Sequence, residues 1–296
     1  MKILCIYNPK ARGGKAVRYL KQIRQLFVKH GIQAEIIITK YSRHATEIVA
    51  QADLTKYKAL ISAGGDGSFF DVLNGFMKNK NNHIPLGILP VGTGNSLSRD
   101  ILSADSSLDE FVALIAKGNT KAFDIGKVQT QNEIFYFANM MGFGFTTDVT
   151  ATASKLKFMR MLSYSAGVFY NTIKLKSYKL KMLVNQKIFD LDNVFITVSN
   201  SKYTGGNYLI APKAEIDDGK LDIVVVNKLR RRDLLRTFPK IFDGSYIHTK
   251  FVDYIQAEQV KFEAETEKTI SPDGELFGKL PIHISTIPKA IHILSA

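Results

Sequence analysis

Hydrophobic and polar positions along this chain follow one rhythm in its first half and another in its second. Over about the first 120 residues, short apolar runs alternate with stretches whose apolar residues recur every three to four positions. Residues 2–7, 34–39, 59–63 and 85–89 read as strands. Between them, residues 15–30 place Val17, Leu20, Ile23 and Phe27 on one helical face, and residues 44–52, 69–77 and 108–117 keep the helical period. Ser106 or Ser107 is expected to cap the last of these helices and Gly118 to close it. Strand and helix in alternation predict an α/β domain, a parallel sheet with helices on both faces.

After Phe123-Asp124-Ile125-Gly126 the pattern changes. Residues 179–184, 194–199, 221–226, 260–264 and 282–285 read as strands separated by Asn, Gly, Asp and Pro turns, and helical patterns survive only at 154–175 and 232–242. The expected division is therefore an α/β domain over 1–125 and a predominantly antiparallel β domain over 126–296. A last apolar run, 290–294, suits either domain.

Composition narrows the partners. Of 296 residues, 40 are Lys or Arg and 27 Asp or Glu, a formal charge of +13, which favours nucleic acid, an anionic membrane surface or a polyphosphate ligand. There is no finger spacing, no aromatic RNP pattern and no isolated basic recognition helix, so nucleic acid is not expected. The single cysteine, Cys5, sits inside the first strand and reads as core, and without a disulfide framework a reducing compartment is favoured. The chain enters its first strand at once, without the charged and apolar regions of a secretory signal. The uncharged stretch 161–173 contains Ser, Tyr, Gly, Asn and Thr and is too short to span a bilayer. A cytoplasmic protein is expected, peripheral at the inner membrane face if it meets lipid. Oligomeric state is not legible.

Two glycine turns carry the chemistry. Ser62-Ala63-Gly64-Gly65-Asp66-Gly67-Ser68 leaves an apolar strand, and an amphipathic helix follows, so backbone N–H groups converge where a phosphate could sit. Pro90-Val91-Gly92-Thr93-Gly94-Asn95 ends the next strand in the same way and would stand beside the first turn at the edge of a parallel sheet. Asp66 either caps its turn by accepting backbone N–H groups or orients a Mg²⁺ riding on a nucleotide.

Together the two turns resemble the diacylglycerol kinase catalytic domain, a family that includes sphingosine and ceramide kinases and is distantly related to NAD kinase and phosphofructokinase. The resemblance implies an ATP-dependent, Mg²⁺-assisted lipid kinase, its acceptor most simply diacylglycerol. Tyr7-Asn8-Pro9-Lys10-Ala11-Arg12-Gly13-Gly14-Lys15 is not a Walker A motif but is similar to the family's Asn-Pro-x-x-Gly signature. That places Asn8, Pro9, Lys10, Ala11 and Arg12 against the nucleotide phosphates. By the same matching, Thr39, Gly65, Asp66, Gly67, Ser68, Phe69, Phe70, Asp71, Thr93 and Asn95 complete the ATP site. Asp124 matches an acidic position that reaches the metal through water. Glu215, Asp218 and Lys220 match a second, structural Mg²⁺ site, the lysine through its carbonyl. Ser271-Pro272-Asp273-Gly274-Glu275 resembles the Asp-Gly-Glu element whose glutamate deprotonates the lipid hydroxyl, so Glu275 is the candidate base and Asp273 the runner-up.

One departure bears on the acceptor. Ser96 follows Asn95 where many bacterial diacylglycerol kinases have Asp, and a small residue followed by Leu97 is closer to sphingosine kinases. An NAD kinase-like enzyme is the soluble-substrate rival, though its Gly-Ser-Thr-Ala-like motif is missing. A non-catalytic module binding anionic lipid would explain the charge and leave the glycine turns idle. The catalytic aspartate string of phosphofructokinase is absent. The basic-apolar stretch 155–162, with Lys174 and Lys176, is a candidate membrane contact.

Overall fold

In a computed structural model, the chain is described at all residues except 103–105, 146, 150, 151, 153–171, 173, 174 and 265–267. It divides into two compact units, Met1–Phe123 with Lys289–Ala296, and Asp124–Pro288.

The first unit alternates β1 (Lys2–Tyr7), α1 (Leu20–Lys29), β2 (Gln33–Ile38), α2 (His44–Gln51), β3 (Ala59–Gly64), α3 (Asp66–Lys78), β4 (Leu86–Pro90) and α4 (Leu108–Lys117). Its strands are parallel in the order β4-β3-β1-β2. β1 and β3 lie inside that order and are apolar along almost their whole length, as a strand covered on both faces must be. Cys5 is fully buried in β1, where desolvation pushes its thiol up to about 12 and keeps it unreactive. Ser107 and Glu110 form the reciprocal capping box that opens α4, and Gly118, with φ of 75°, closes it. The expected first helix is shorter at its start. Lys15–Tyr19 is a 3-10 turn, whose three-residue repeat takes Val17 off the face of Ile23 and Phe27 and leaves it 56% exposed. Near the C-terminus, Ile293 pairs in parallel with Leu86 of β4, so the last apolar run joins this unit.

The second unit begins within β5 (Thr120–Gln129), which turns back as a hairpin into β6 (Ile134–Phe137). β7 (Met140–Gly144), β8 (Tyr178–Val184) and β9 (Lys187–Ser199) follow, then the short pair β10 (Tyr203–Thr204) and β11 (Tyr208–Leu209). β12 (Leu221–Asn227), α5 (Arg231–Thr237), β13 (Val252–Ala257), β14 (Gln259–Glu263), β15 (Ile270–Pro272) and β16 (Ile282–Leu294) complete the chain. The sheet is antiparallel in the order β13-β12-β9-β8-β14-β16, and β7 pairs with β9 and β15. β9 changes partners along its length, its first half on β8 and its second between β7 and β12. The helix expected over 232–242 stops at Thr237 and continues as a 3-10 turn, because Pro239 has no N–H to donate and its ring opposes an α-helical continuation. The helix expected over 154–175 lies almost wholly outside the described residues.

Candidate active site

In the first unit the two glycine turns touch backbone to backbone. Val91 and Gly92 both donate their N–H to the carbonyl of Gly64, each at 3.0 Å. A Cβ on Gly92 would lie 2.4 Å from the Cα of Gly65, so no side chain fits there. Asn95, held at φ of 48°, accepts the Gly92 N–H at 3.0 Å on Oδ1 and donates from Nδ2 to the carbonyls of Gly92 and Pro90. Asp66, in the first turn of α3, reaches across. Its carboxylate accepts the N–H groups of Ser96 at 3.0 Å and Leu97 at 3.3 Å. Desolvation raises the pKa of this group, opposed by those two amides and by the Ser96 hydroxyl. Ser96 is itself fully buried, so the hydroxyl sits where a second carboxylate would face Asp66 without water to separate the charges.

The latch leads to a direct prediction. Gly92→Ala drives a methyl into the backbone of Gly65 and should part the turns, raising the KM for ATP about tenfold or more at a stability cost of roughly 1–3 kcal/mol. Nucleotide titration and thermal melts check it, and an unchanged KM would show that the contact is not needed.

The loop after β1 packs onto the same turns. Asn8 donates its N–H to the Ala63 carbonyl at 2.9 Å and its Nδ2 to Ser68 Oγ at 2.8 Å, while its Oδ1 accepts the Lys10 N–H at 3.0 Å. Arg12, Gly13 and Gly14 all have positive φ. Lys10 and Ala11 belong to this loop, and Arg12 turns toward Tyr19, its Nη1 2.5 Å from that hydroxyl. Thr39 is joined to the loop's start by its N–H on the Tyr7 carbonyl at 2.9 Å. Phe69 and Phe70 are buried in the core, which restricts them to backbone contacts with a ligand. Asp71 faces Arg43, whose Nη1 lies 3.2 Å from its Oδ1, and Arg43 also covers the Phe70 ring. Sequence reading missed Arg43, an exposed-looking cation in a loop that only the fold brings to α3. Thr93 lies exposed at the tip of the second turn.

In the second unit, Asp124 is fully buried, and its Oδ2 accepts the Gly219 N–H at 2.6 Å. Asn200 Nδ2 donates to the Asp124 carbonyl at 2.8 Å. Asp124 thus anchors the turn that carries Glu215, Asp218 and Lys220. Of these, Glu215 is exposed and Asp218 Oδ1 accepts the Lys220 N–H at 2.9 Å. Among the described residues no three His, Cys, Asp or Glu side chains stand together as a metal cage. A cation at this turn would rest on Asp218, carbonyl oxygens and water. Asp66 suits a nucleotide-borne Mg²⁺ better, since its carboxylate keeps acceptor capacity beyond the two amides and the Ser96 hydroxyl and such an ion takes most ligands from phosphate and water.

The Asp-Gly-Glu turn separates its two carboxylates. Asp273, at φ of 45° and nearly buried, accepts three amides, from Ala138 at 3.1 Å and from Asn139 and Met140 at 3.0 Å. It clamps the backbone leading into β7. Glu275 donates its N–H to the Pro272 carbonyl at 2.8 Å, and its side chain is exposed.

A further feature of this unit was not legible. An apolar pocket of about 50 Å³ is lined by Phe195, Tyr208, Ile210, Leu229, Leu234 and Phe238, among others. Its walls come from β9, β11, β12 and α5, and each residue alone reads as ordinary core.

The double glycine turn lies in the α/β unit and the apolar pocket in the β unit. Family comparison agrees: residues 2–128 match the diacylglycerol kinase catalytic domain, and residues 139–295 match the YegS C-terminal NAD kinase beta sandwich-like domain. The chain belongs to the diacylglycerol kinase catalytic-domain family and is a lipid kinase. It is 27% identical to the diacylglycerol kinase of Bacillus subtilis (strain 168), over 98% of this chain and 94% of that one. Sphingosine kinase 1 of Arabidopsis thaliana is 24% identical over 94% of this chain and 69% of its own length. The crystal structure of a proposed diacylglycerol kinase from Bacillus anthracis str. Sterne superposes with a TM-score of 0.81 at 25% identity, covering 100% of this chain and 97% of that one.

Proposed function

We propose that this enzyme transfers the γ-phosphoryl group of ATP to the hydroxyl of diacylglycerol, giving phosphatidic acid. The observation that supports a lipid rather than a soluble acceptor is the apolar pocket, whose lining is almost wholly hydrophobic side chains. Asn8 and the two glycine turns hold the donor phosphates on backbone N–H groups, with Asp66 fixing their spacing. Lys10 and Arg12 supply positive charge beside them. Mg²⁺, when bound, neutralises charge on the transferring group, with Asp66 as its protein ligand. Glu275 takes the proton of the acceptor hydroxyl, and Asp273 holds the turn that presents it. Asp124 keeps the neighbouring 215–220 turn in place. The basic surface draws the enzyme to an anionic membrane as a peripheral protein, and among the described residues no helix is long and apolar enough to cross one.

Ser96 supports a second reading, a sphingoid base as acceptor. Initial rates of ADP release with diacylglycerol, a sphingoid base and NAD, each in the same detergent micelles, decide among them. Diacylglycerol should give the largest kcat/KM. A higher value with the sphingoid base selects the second reading, and turnover with NAD alone rejects both.

A further inference from the structure

Resting on the lipid-kinase reading, we propose that residues 230–242 form the face that docks the enzyme on an anionic bilayer, directly over the apolar pocket. This segment holds five cations, Arg230, Arg231, Arg232, Arg236 and Lys240, against one carboxylate, Asp233. All five are exposed. Of these five, Arg232 alone comes within ion-pair distance of a carboxylate among the described residues, that of Asp233 at 3.7 Å. Asp243, next along the chain, is exposed and accepts the Ser245 N–H at 2.9 Å, so five cations stand against two carboxylates when it is included.

Interleaved with the cations are apolar side chains that point two ways. Leu234 is buried and lines the pocket, as do Thr237, Phe238 and Ile241. Leu235, one step of 100° around the helix, is 48% exposed, and Phe242 is 50% exposed while its ring rests on Tyr208 at 5.1 Å between centroids. One short segment therefore roofs an apolar pocket, offers a leucine and a phenylalanine to the outside, and surrounds them with cations. Water rewards none of the outward apolar groups; a headgroup region rewards them and the cations together. Charge complementarity names the occupant. A second copy meeting this face across a two-fold axis would set the same cations against each other, and a nucleic acid backbone would leave Leu235 and Phe242 unused.

The test is flotation with phosphatidylcholine vesicles, with and without phosphatidylglycerol, at low and high salt. The wild type should prefer the anionic vesicles and lose that preference in salt. Arg231→Gln with Arg236→Gln should weaken partitioning by about 25-fold, roughly fivefold per cation, and Leu235→Ser should weaken it several-fold even onto anionic vesicles. Thermal melts and turnover of a short-chain acceptor in free solution should stay at wild-type values, because none of these side chains lines the pocket or the glycine turns. Wild-type partitioning by both variants overturns the proposal, as does binding by the wild type that ignores lipid charge. A change of oligomeric state in the variants at constant vesicle binding also overturns it, in favour of a self-association face. Loss of vesicle binding without any acceptor turnover in the wild type would leave the docking face standing and remove the kinase reading beneath it.

Discussion

Asp66→Ala is expected to lower kcat/KM for ATP by about 10³-fold while the chain stays folded. The carboxylate ties α3 to the second glycine turn, through the amides of Ser96 and Leu97. Without it both amides lose their acceptor and, on the proposed role of Asp66, the turns lose their spacing and a nucleotide-borne Mg²⁺ its protein ligand. Unpaired amides cost roughly 1–3 kcal/mol each where water cannot reach them, which should lower the melting temperature by several degrees without abolishing the transition. Asp66→Asn keeps one acceptor oxygen and should melt closer to wild type, yet remain inactive because the charge is gone. Near wild-type turnover in either variant would mean that the glycine turns do not hold the donor.

Glu275→Gln carries the second large effect, a loss of about 10²-fold or more in kcat with the KM for ATP little changed. Glutamine keeps the size and hydrogen bonding of the side chain and cannot take a proton. The neighbouring carboxylate is the control. Asp273→Asn keeps an oxygen for the amides of Asn139 and Met140 but sets an NH₂ group against the amide of Ala138, so it should lower stability first and activity through it. Steady-state kinetics at saturating lipid, paired with melts, separates the two. Equal weakening of ATP binding in Glu275→Gln would reassign that residue to the nucleotide or metal.

The alternation of β1 through α4 was readable because parallel strands are apolar throughout and amphipathic helices are not, and because Ser107, Glu110 and Gly118 are local signals that need no tertiary context. Val17 and Pro239 show where local reading slips. A 3-10 turn changes the side-chain phase by a few tens of degrees, which is enough to move one valine into solvent, and a proline shortens a helix whose apolar pattern runs on past it. The strands β5, β6, β7 and β13 were not anticipated, since their pairing partners rather than their own periodicity hold them extended. In the site, the two turns were recognisable from their glycines, while the reason for Gly92 was not: it is the approach of Gly65, brought near by the pairing of β3 and β4. The anchoring of Asp273 by the three amides that lead from β6 into β7, distant in sequence, was likewise not legible. The apolar pocket was invisible because its lining residues are scattered along a β unit and look like core. The basic-apolar stretch at 155–162 lies outside the described residues, and the exposed Leu235 and Phe242 were hidden within a pattern that reads as an ordinary amphipathic helix.

The most direct measurement follows the destination of the label when ATP carrying a radioactive γ-phosphate is incubated with the enzyme, Mg²⁺ and diacylglycerol in mixed micelles. Label should pass into the organic phase as phosphatidic acid, in proportion to the enzyme, and should do so only when the lipid is present. Label appearing as inorganic phosphate or in a water-soluble acceptor at the same rate with and without lipid would contradict phosphoryl transfer to a lipid hydroxyl.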